Sequence, residues 1–585
     1  MSPSATSTTP STPSRPRILV PEKVSPDGLA LLSSFYEVDV RTDLSASDLL
    51  SLIPGYQALI VRSETKVTAP VLAAGKKLKV VARAGVGVDN IDVAAATAQG
   101  IIVVNSPSGN IVAAAEHTVA LLLATARNVG RADGGVKDGK WERGKLVGVE
   151  VGRKTLGIIG LGKVGMKVAR MAIGLGMKVV ALDPYASPDI ARQAGVGLVE
   201  GLGELLPQVD FLTIHTPLLA STLNLLGEEE FKTMKKTARV LNVARGGVYN
   251  EDALLKALDE GWIAGAGIDV YTSEPPEEGS SAARLARHPK VVATPHLGAS
   301  TVEAQENVSM DVCAQVLEIL RGGLPTAAVN APLILPEEYR KLQPFVRLVE
   351  RMGGLYTQHF AGGKAGMIGG RRFELVYQGE LAGMGNTRPL FAALVKGLVS
   401  SISDSGGRDV NIVNATLIAK EKGIIINESH IRESEGLVYA SLVTLRSHGE
   451  GQQTQVIDGY ASGRNIYISK LDRFSANFTP EGTLVVLHNY DEPGKIGSVG
   501  MVLGKHGVNI RFMHVASLDP ETKMELEAKT QDDAALASDN NETNGKGNPA
   551  NEALMILGVD GEVTKEVLED LGKPEGILNV SLVRL

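Results

Sequence analysis

The chain has 585 residues, 44% of them hydrophobic and 21% charged, and carries a formal net charge of −7. That length spans three or four domains, and the acidic balance argues against a general electrostatic grip on nucleic acid. A single cysteine, Cys313, excludes a disulfide scaffold or multi-cysteine metal site, and no run nears the ~18 apolar residues of a membrane span.

Residues 1–14 hold five Ser, four Thr, three Pro and no charged side chain. They lack the apolar core of a secretory signal and the arginines of a transit peptide. The expectation is a disordered tail on a cytoplasmic protein. From Arg17 onward short apolar runs alternate with amphipathic segments. Strands are predicted over 18–21, 58–61, 79–83, 101–105, 155–159, 178–182, 211–215, 239–243, 265–269 and 291–293, with helices such as 114–127 and 165–174 between them. Apolar strands separated by helices form parallel sheets in βαβ units. That many strands exceed one doubly wound sheet, so two α/β lobes are expected, parting at about residue 107, with a helix after Ser300 returning to the first. Pro325, Pro332, Pro336 and Pro344 punctuate a connection. Strands and a helix follow over 345–478, with glycine pairs at Gly362-Gly363 and Gly369-Gly370 but no motif tied to chemistry. From Gly482 the order reads βαββαβ, the ferredoxin-like split motif. Its two central strands are joined by residues 519–552, which carry nine acidic and three Lys residues and hence most of the net charge; this composition suits a solvated, disordered loop.

Three groups of residues carry chemistry. Gly160-Leu161-Gly162-Lys163-Val164-Gly165 follows an apolar strand, opens a helix, and is succeeded by a second strand ending in Asp183. This is the context of a dinucleotide fingerprint. Gly160 permits the turn, Gly162 lets backbone approach a pyrophosphate, Gly165 allows close helix–strand packing, and Asp183 accepts from ribose hydroxyls and repels a 2′-phosphate, which favours NAD over NADP. Next, Arg245, Glu274 and His296 each fall where a strand runs into a loop, on the carboxyl edge where open α/β sheets bind ligands. Arg offers a fork for a carboxylate, His moves protons near neutral pH, and a Glu beside it stabilises imidazolium. Taken singly these are an ordinary surface Arg, a capping Glu and a core His; beside the fingerprint they form a set. Third, Arg62 and Arg83 lie on separate loops of the first lobe and suit a second anion, or an ion pair between lobes.

Val61-Arg62-Ser63, Arg83–Asp92, the fingerprint, Asn242–Gly247, Ser273–Pro276 and Pro295–Ser300 run in one order over some 300 residues. In this they resemble the D-isomer-specific 2-hydroxyacid dehydrogenases. The resemblance extends to long members of the family with extra C-terminal domains. It implies a substrate-binding lobe at 15–107 plus 304–330, an NAD-binding Rossmann domain at 108–303, an intervening, allosteric substrate-binding-like α+β domain at 331–480, and an ACT regulatory domain at 481–585 with the acidic insertion at 519–552. It implies NAD as cofactor and 3-phospho-D-glycerate as substrate, oxidised to 3-phosphohydroxypyruvate in the first step of serine synthesis by a homodimer or homotetramer. Another 2-hydroxyacid dehydrogenase, such as a glyoxylate or hydroxypyruvate reductase, and an NAD-sensing corepressor are the alternatives.

By the same resemblance Arg245 holds the substrate carboxylate and 2-oxygen, His296 takes the hydroxyl proton, and Glu274 pairs with His296. Lys163, Val164, Asp183, Thr216, Val243, Ala244, Asp269, Leu297, Gly298 and Ala299 surround the cofactor, and Arg62, Ser63, Arg83 and Asn110 the substrate. Val86 stands where some relatives carry a polar residue. Arg143 suits either a neighbouring subunit's site or an exposed surface. The turn Asp491-Glu492-Pro493-Gly494 before a helix leaves backbone N–H groups for a carboxylate. Asp491 and Asn509 are the expected contacts of an L-serine effector.

Overall fold

Most strands of the first two sheets are runs of four or five residues, mostly apolar and buried on both faces, as parallel strands covered by helices require. The first sheet takes β1 Arg17–Val20, β2 Glu37–Val40, β3 Ala58–Val61, β4 Val80–Arg83 and β5 Ile102–Asn105 in the order β2-β1-β3-β4-β5. The second takes β6 Thr155–Ile159, β7 Lys178–Leu182, β8 Val196–Leu198, β9 Phe211–Ile214, β10 Arg239–Asn242, β11 Gly265–Ile268 and β12 Val291–Ala293, all parallel, in the order β12-β11-β10-β9-β6-β7-β8. The strand order reverses between β6 and β9, which opens a ligand crevice above their carboxyl ends. Separate apolar cores fill its two faces, around Leu254 and Phe231 on one side and Val168 and Leu122 on the other.

This computed structural model describes residues 15–362, 368–403, 410–432, 438–448, 454–536 and 549–585. The expected tail over 1–14, Gly363, and the turn-rich second half of the acidic insertion lie outside them. Residues 15–66, 81–91 and 104–318 form one compact unit; 67–80, 92–103 and 319–585 form a second. In the first, the helix Val302–Leu320 returns to the first lobe as expected: Ser309 Oγ donates to the Ser25 carbonyl at 2.9 Å and Gln315 Nε2 to the Asn105 carbonyl at 2.9 Å.

The second unit holds two more sheets. One takes β13 Arg372–Gly379, β14 Ile425–Ile431, β15 Ser441–His448, β16 Gln455–Ser462, β17 Asn465–Leu471 and β18 Phe474–Phe478, in the order β14-β13-β15-β16-β17-β18; only the β13–β14 pair is parallel. The other takes β19 Thr483–Tyr490, β20 Asn509–Ser517, β21 Glu552–Asp560 and β22 Ile577–Arg584 in the order β20-β21-β19-β22, antiparallel throughout, with helices Lys495–Lys505 and Lys565–Gly572. This is the βαββαβ order expected.

Two features were not expected. Pro520–Leu536 is a helix where the composition suggested a loop. Asp519 starts it by accepting from the backbone and hydroxyl of Thr522 at 3.0 and 2.7 Å, a cap that offsets the unpaired N–H groups of a first turn. The two sheets also share one core: Leu484, Val486, Leu554, Ile556 and Val583 pack in the same cluster as Leu348, Phe474 and Phe478. Gln358 accepts from the Arg584 N–H at 2.9 Å and donates to its carbonyl at 3.0 Å, completing the edge of β22. Among the described residues, no helix is long and apolar enough to cross a membrane.

Candidate active site

β6 ends at Ile159 and the chain turns through Gly160, whose φ of +91° suits glycine. The helix Lys163–Gly174 starts at once, and a side chain on Gly165 would collide with the Gly160 carbonyl, so that approach needs glycine. The space over Gly162 is open. Thr216, after β9, has a buried hydroxyl with no partner. An open glycine turn on a helix N-terminus and an orphaned hydroxyl across the crevice fit a dinucleotide. Asp183 accepts from the Leu161 N–H at 2.7 Å and the Tyr185 N–H at 2.8 Å, which ties the glycine turn to the end of β7. Lys163 donates to Ser108 at 3.1 Å, and Val164 packs on the core beneath. Asn242, fully buried, accepts from the Ala244 N–H and donates to the Arg245 carbonyl, so Val243, Ala244 and Arg245 are held as one rigid loop.

Asp269, at the end of β11, is fully buried and organises the neighbouring strap. Its carboxylate accepts from the N–H of Leu297 at 2.7 Å and of Gly298 at 2.8 Å, and from the Thr294 hydroxyl at 2.6 Å; His117 Nε2 lies 3.1 Å away. Burial works to raise its pKa, but the bonds from His117, Thr294 and Leu297 outweigh this and hold it below the ordinary value. The Asp269 carbonyl takes the N–H of His296, a non-glycine residue with φ of +55°. Such a conformation persists only where its surroundings hold it, and Asp269 provides that hold. His296 Nδ1 lies 2.6 Å from Glu274 Oε2, and Glu274 Oε1 takes the Tyr271 N–H at 3.1 Å. Burial tends to raise the pKa of Glu274, but the His296 bond and the Tyr271 N–H more than reverse it, so the carboxylate stays ionised. With Nδ1 engaged, Nε2 is the nitrogen left for chemistry.

A cavity of about 340 Å3 opens in front of this pair, lined by Arg62, Ser63, Arg83, Asn110, Arg245 and Ala299 together with Glu274 and His296. All four substrate candidates and the three catalytic candidates therefore meet at one place. Asn110 presents a buried, unpartnered Oδ1, and Arg83 an unpartnered Nε. Burial, then the adjacent Arg245, brings the Arg83 pKa down to about 10, so the guanidinium stays charged but short of solvent. Arg83, desolvated and beside a second guanidinium, carries a charge that an anion in the cavity would satisfy.

Comparison with known proteins agrees with this geometry. Residues 119–298 match the D-isomer specific 2-hydroxyacid dehydrogenase NAD binding domain, and 341–466 the D-3-phosphoglycerate dehydrogenase intervening domain. D-3-phosphoglycerate dehydrogenase 2, chloroplastic, of Arabidopsis thaliana is 41% identical over 98% of this chain and 87% of its own. The D-3-phosphoglycerate dehydrogenase of Archaeoglobus fulgidus is 38% identical over 97% of this chain and all of its own. The chain belongs to the D-3-phosphoglycerate dehydrogenase family. Among solved structures, an NAD-binding protein from Polaromonas assigned to the D-isomer specific 2-hydroxyacid dehydrogenases superposes on 54% of the chain and all of its own with a TM-score of 0.50 at 27% identity.

For a phosphoglycerate dehydrogenase, the site has parts that the sequence did not disclose. Glu22, 7% exposed, accepts from the N–H groups of Arg62, Glu64 and Thr65 at 2.8, 3.2 and 3.0 Å and so shapes the Arg62 loop. Asn90 holds the same loop from the other side, donating to the carbonyls of Arg62 and Thr65. Lys23 joins the cavity wall. Asn90 stood in the quoted motif; Glu22 and Lys23 carried no sequence signal. Val86 lines the cavity, whereas Arg143, in a short 3-10 turn, does not. Cys313 is fully buried, its thiol pushed up to about 12 by burial.

The effector candidates are not brought together. Asp491 lines a cavity of about 430 Å3 with Asn489, Lys495 and the turn between them. Asn509 pairs with Asp560 at the opposite end of the sheet. Tyr490 is opposite Glu552 at the near end, and eight residue steps along β21 at ~3.3 Å each separate the two by on the order of 25 Å. Within one chain Asn509 is no part of the Asp491 cavity. The residue that does enter is Asn489, 1% exposed, with its Oδ1 buried and unpartnered.

Proposed function

We propose that the chain oxidises 3-phospho-D-glycerate to 3-phosphohydroxypyruvate with NAD, the first step of serine synthesis. The observation that carries this reading is the His296–Glu274 pair facing a cavity walled by three arginines. Arg245 takes the substrate carboxylate and 2-oxygen. Arg62 and Arg83, with Lys23, take the phosphate, a second anion that glycerate lacks. The glycine turn at Gly160–Gly165 and Thr216 would hold NAD, which would supply the hydride acceptor for C2. His296 Nε2 receives the hydroxyl proton as the carbonyl forms, and Glu274 balances the resulting imidazolium through Nδ1. Asp269 keeps His296 in register through the strap it ties, and Asp183 selects NAD over NADP by charge. Steady-state rates with 3-phosphoglycerate, D-glycerate and glyoxylate test the assignment. Preference for an unphosphorylated acid would transfer the enzyme to the glyoxylate or hydroxypyruvate reductases, and activity on none would favour a sensor.

L-serine feedback belongs to the same reading, at the cavity of Asp491, with Asn489 as polar contact in place of Asn509. Calorimetry with L-serine on the wild type and on Asp491→Ala tests it: binding that survives the substitution unchanged moves the site elsewhere. A cytoplasmic homodimer or homotetramer completes the proposal, checked by fractionation and light scattering.

A further inference from the structure

The loop after β4, the strand that ends in Arg83, carries Gly87 and Asp89, and the reaction above does not use Asp89. Asp89 Oδ2 lies 3.1 Å from Nε of Arg245, although one residue follows a strand of the first sheet and the other a strand of the second. Nη1 of Arg245 donates to the Ala244 carbonyl at 2.6 Å. Nη2 lies over Gly87, where a Cβ would collide with it and come within 2.8 Å of Asp89 Oδ2. A two-pronged carboxylate contact needs one free edge of the guanidinium fork. With Nη1 committed to its own backbone, that edge is Nε–Nη2, and Asp89 holds half of it. Asp89 is poorly suited to a permanent clamp. Its side chain is 68% exposed, and only one of its oxygens is within bonding distance.

We propose that Asp89 stands in for the substrate carboxylate: it holds the docking edge of Arg245 and exchanges with the incoming acid. This rests on the reading of Arg245 as the carboxylate ligand. The neighbouring charges explain why a stand-in is useful. Arg62, Arg83 and Lys23 share the cavity with Arg245, while the carboxylates of Glu22 and Glu274 are tied to backbone N–H groups and to His296. Asp89 gives Arg245 a counter-charge, and exchanging one carboxylate for another keeps the local charge constant. Exchange also acts as a filter. An acid anchored only by its carboxylate competes poorly with a tethered one, whereas a phosphate held by Arg62 and Arg83 gives phosphoglycerate a second anchor.

The test is calorimetry on the full chain, with D-glycerate and 3-phosphoglycerate as probes, for wild type, Asp89→Asn and Asp89→Ala. Removing an exposed competing ion pair should tighten D-glycerate binding by about 2–5-fold in both variants. The gain should shrink as salt rises, since screening weakens the pair in the wild type. A residue that merely shapes the loop would instead weaken both ligands at every salt concentration. Unchanged or weaker D-glycerate binding in both variants, with native circular dichroism, overturns the proposal. A wild type that binds neither acid overturns this proposal and the functional reading together; turnover of phosphoglycerate with unaltered glycerate affinity in the variants overturns the role of Asp89 alone.

Discussion

His296 has one ring nitrogen free for proton transfer, because the other is 2.6 Å from Glu274. His296→Asn should therefore keep NAD binding and lower kcat by about 10²–10⁴-fold, the range for loss of a general acid–base group; fluorescence titration with NADH alongside turnover separates the two effects. Asp269 makes a sharper demand. Asp269→Asn turns one acceptor into a donor facing the N–H groups of Leu297 and Gly298. The expected result is a stability loss of about 1–3 kcal/mol in denaturant melts, with kcat reduced as the His296 strap loosens. The catalytic trio, the fingerprint and the arginines were legible because each is a chemically distinctive residue in a fixed local context. Glu22 was not, because its work is to gather three N–H groups from residues 40 or more positions away. Asp269 was read as a cofactor neighbour, and only the folded strap displays its grip on the chain itself.

At the scale of elements, the strands of both parallel sheets could be read from apolar runs, but β2 and β8 were missed. The first of these reads Glu-Val-Asp-Val and is largely exposed at a sheet edge, and the second is three residues long. The helical pair of the second unit was opaque for another reason. Pro336–Leu355 and Arg388–Ser400 cross so closely that a side chain on Gly397 would run into the Glu350 carbonyl. A glycine chosen for a partner 47 residues away leaves no local signature. Gly397→Ala should cost about 1–3 kcal/mol, the usual penalty of overpacking, seen as a lower melting temperature with the dehydrogenase fold of residues 15–318 otherwise intact by limited proteolysis. Effector contacts failed on register: Asp491 and Asn509 flank one helix in sequence, and a helix running the length of its sheet delivers its two ends to opposite ends of the strands.

For the whole molecule, acid is the revealing condition. Burial pushes His215 and His359 down to about 4, one in each unit. Unfolded histidine takes up its proton near pH 6.5. Between there and about 4 the unfolded chain binds protons that the folded chain refuses, so stability falls as pH is lowered through that window and is flat above it for these groups. Thermal melts at pH 7.5 and 5 should show the drop, and His359→Gln, which can keep a bond to Ser581, should shrink it. The common core of the last two sheets sets a second expectation: a chain ended at residue 480 loses Leu484, Val486, Leu554, Ile556 and Val583 from that core and should aggregate, which light scattering would detect. The same seam bears on how such chains are assembled over evolutionary time. Residues 481–585 look in sequence like a cassette for recombination to trade among enzymes, yet one face of their sheet packs in a core shared with the domain before it. A productive exchange has to cut upstream of Pro336 and carry both sheets, so the transferable unit of inheritance here is larger than the motif that advertises it.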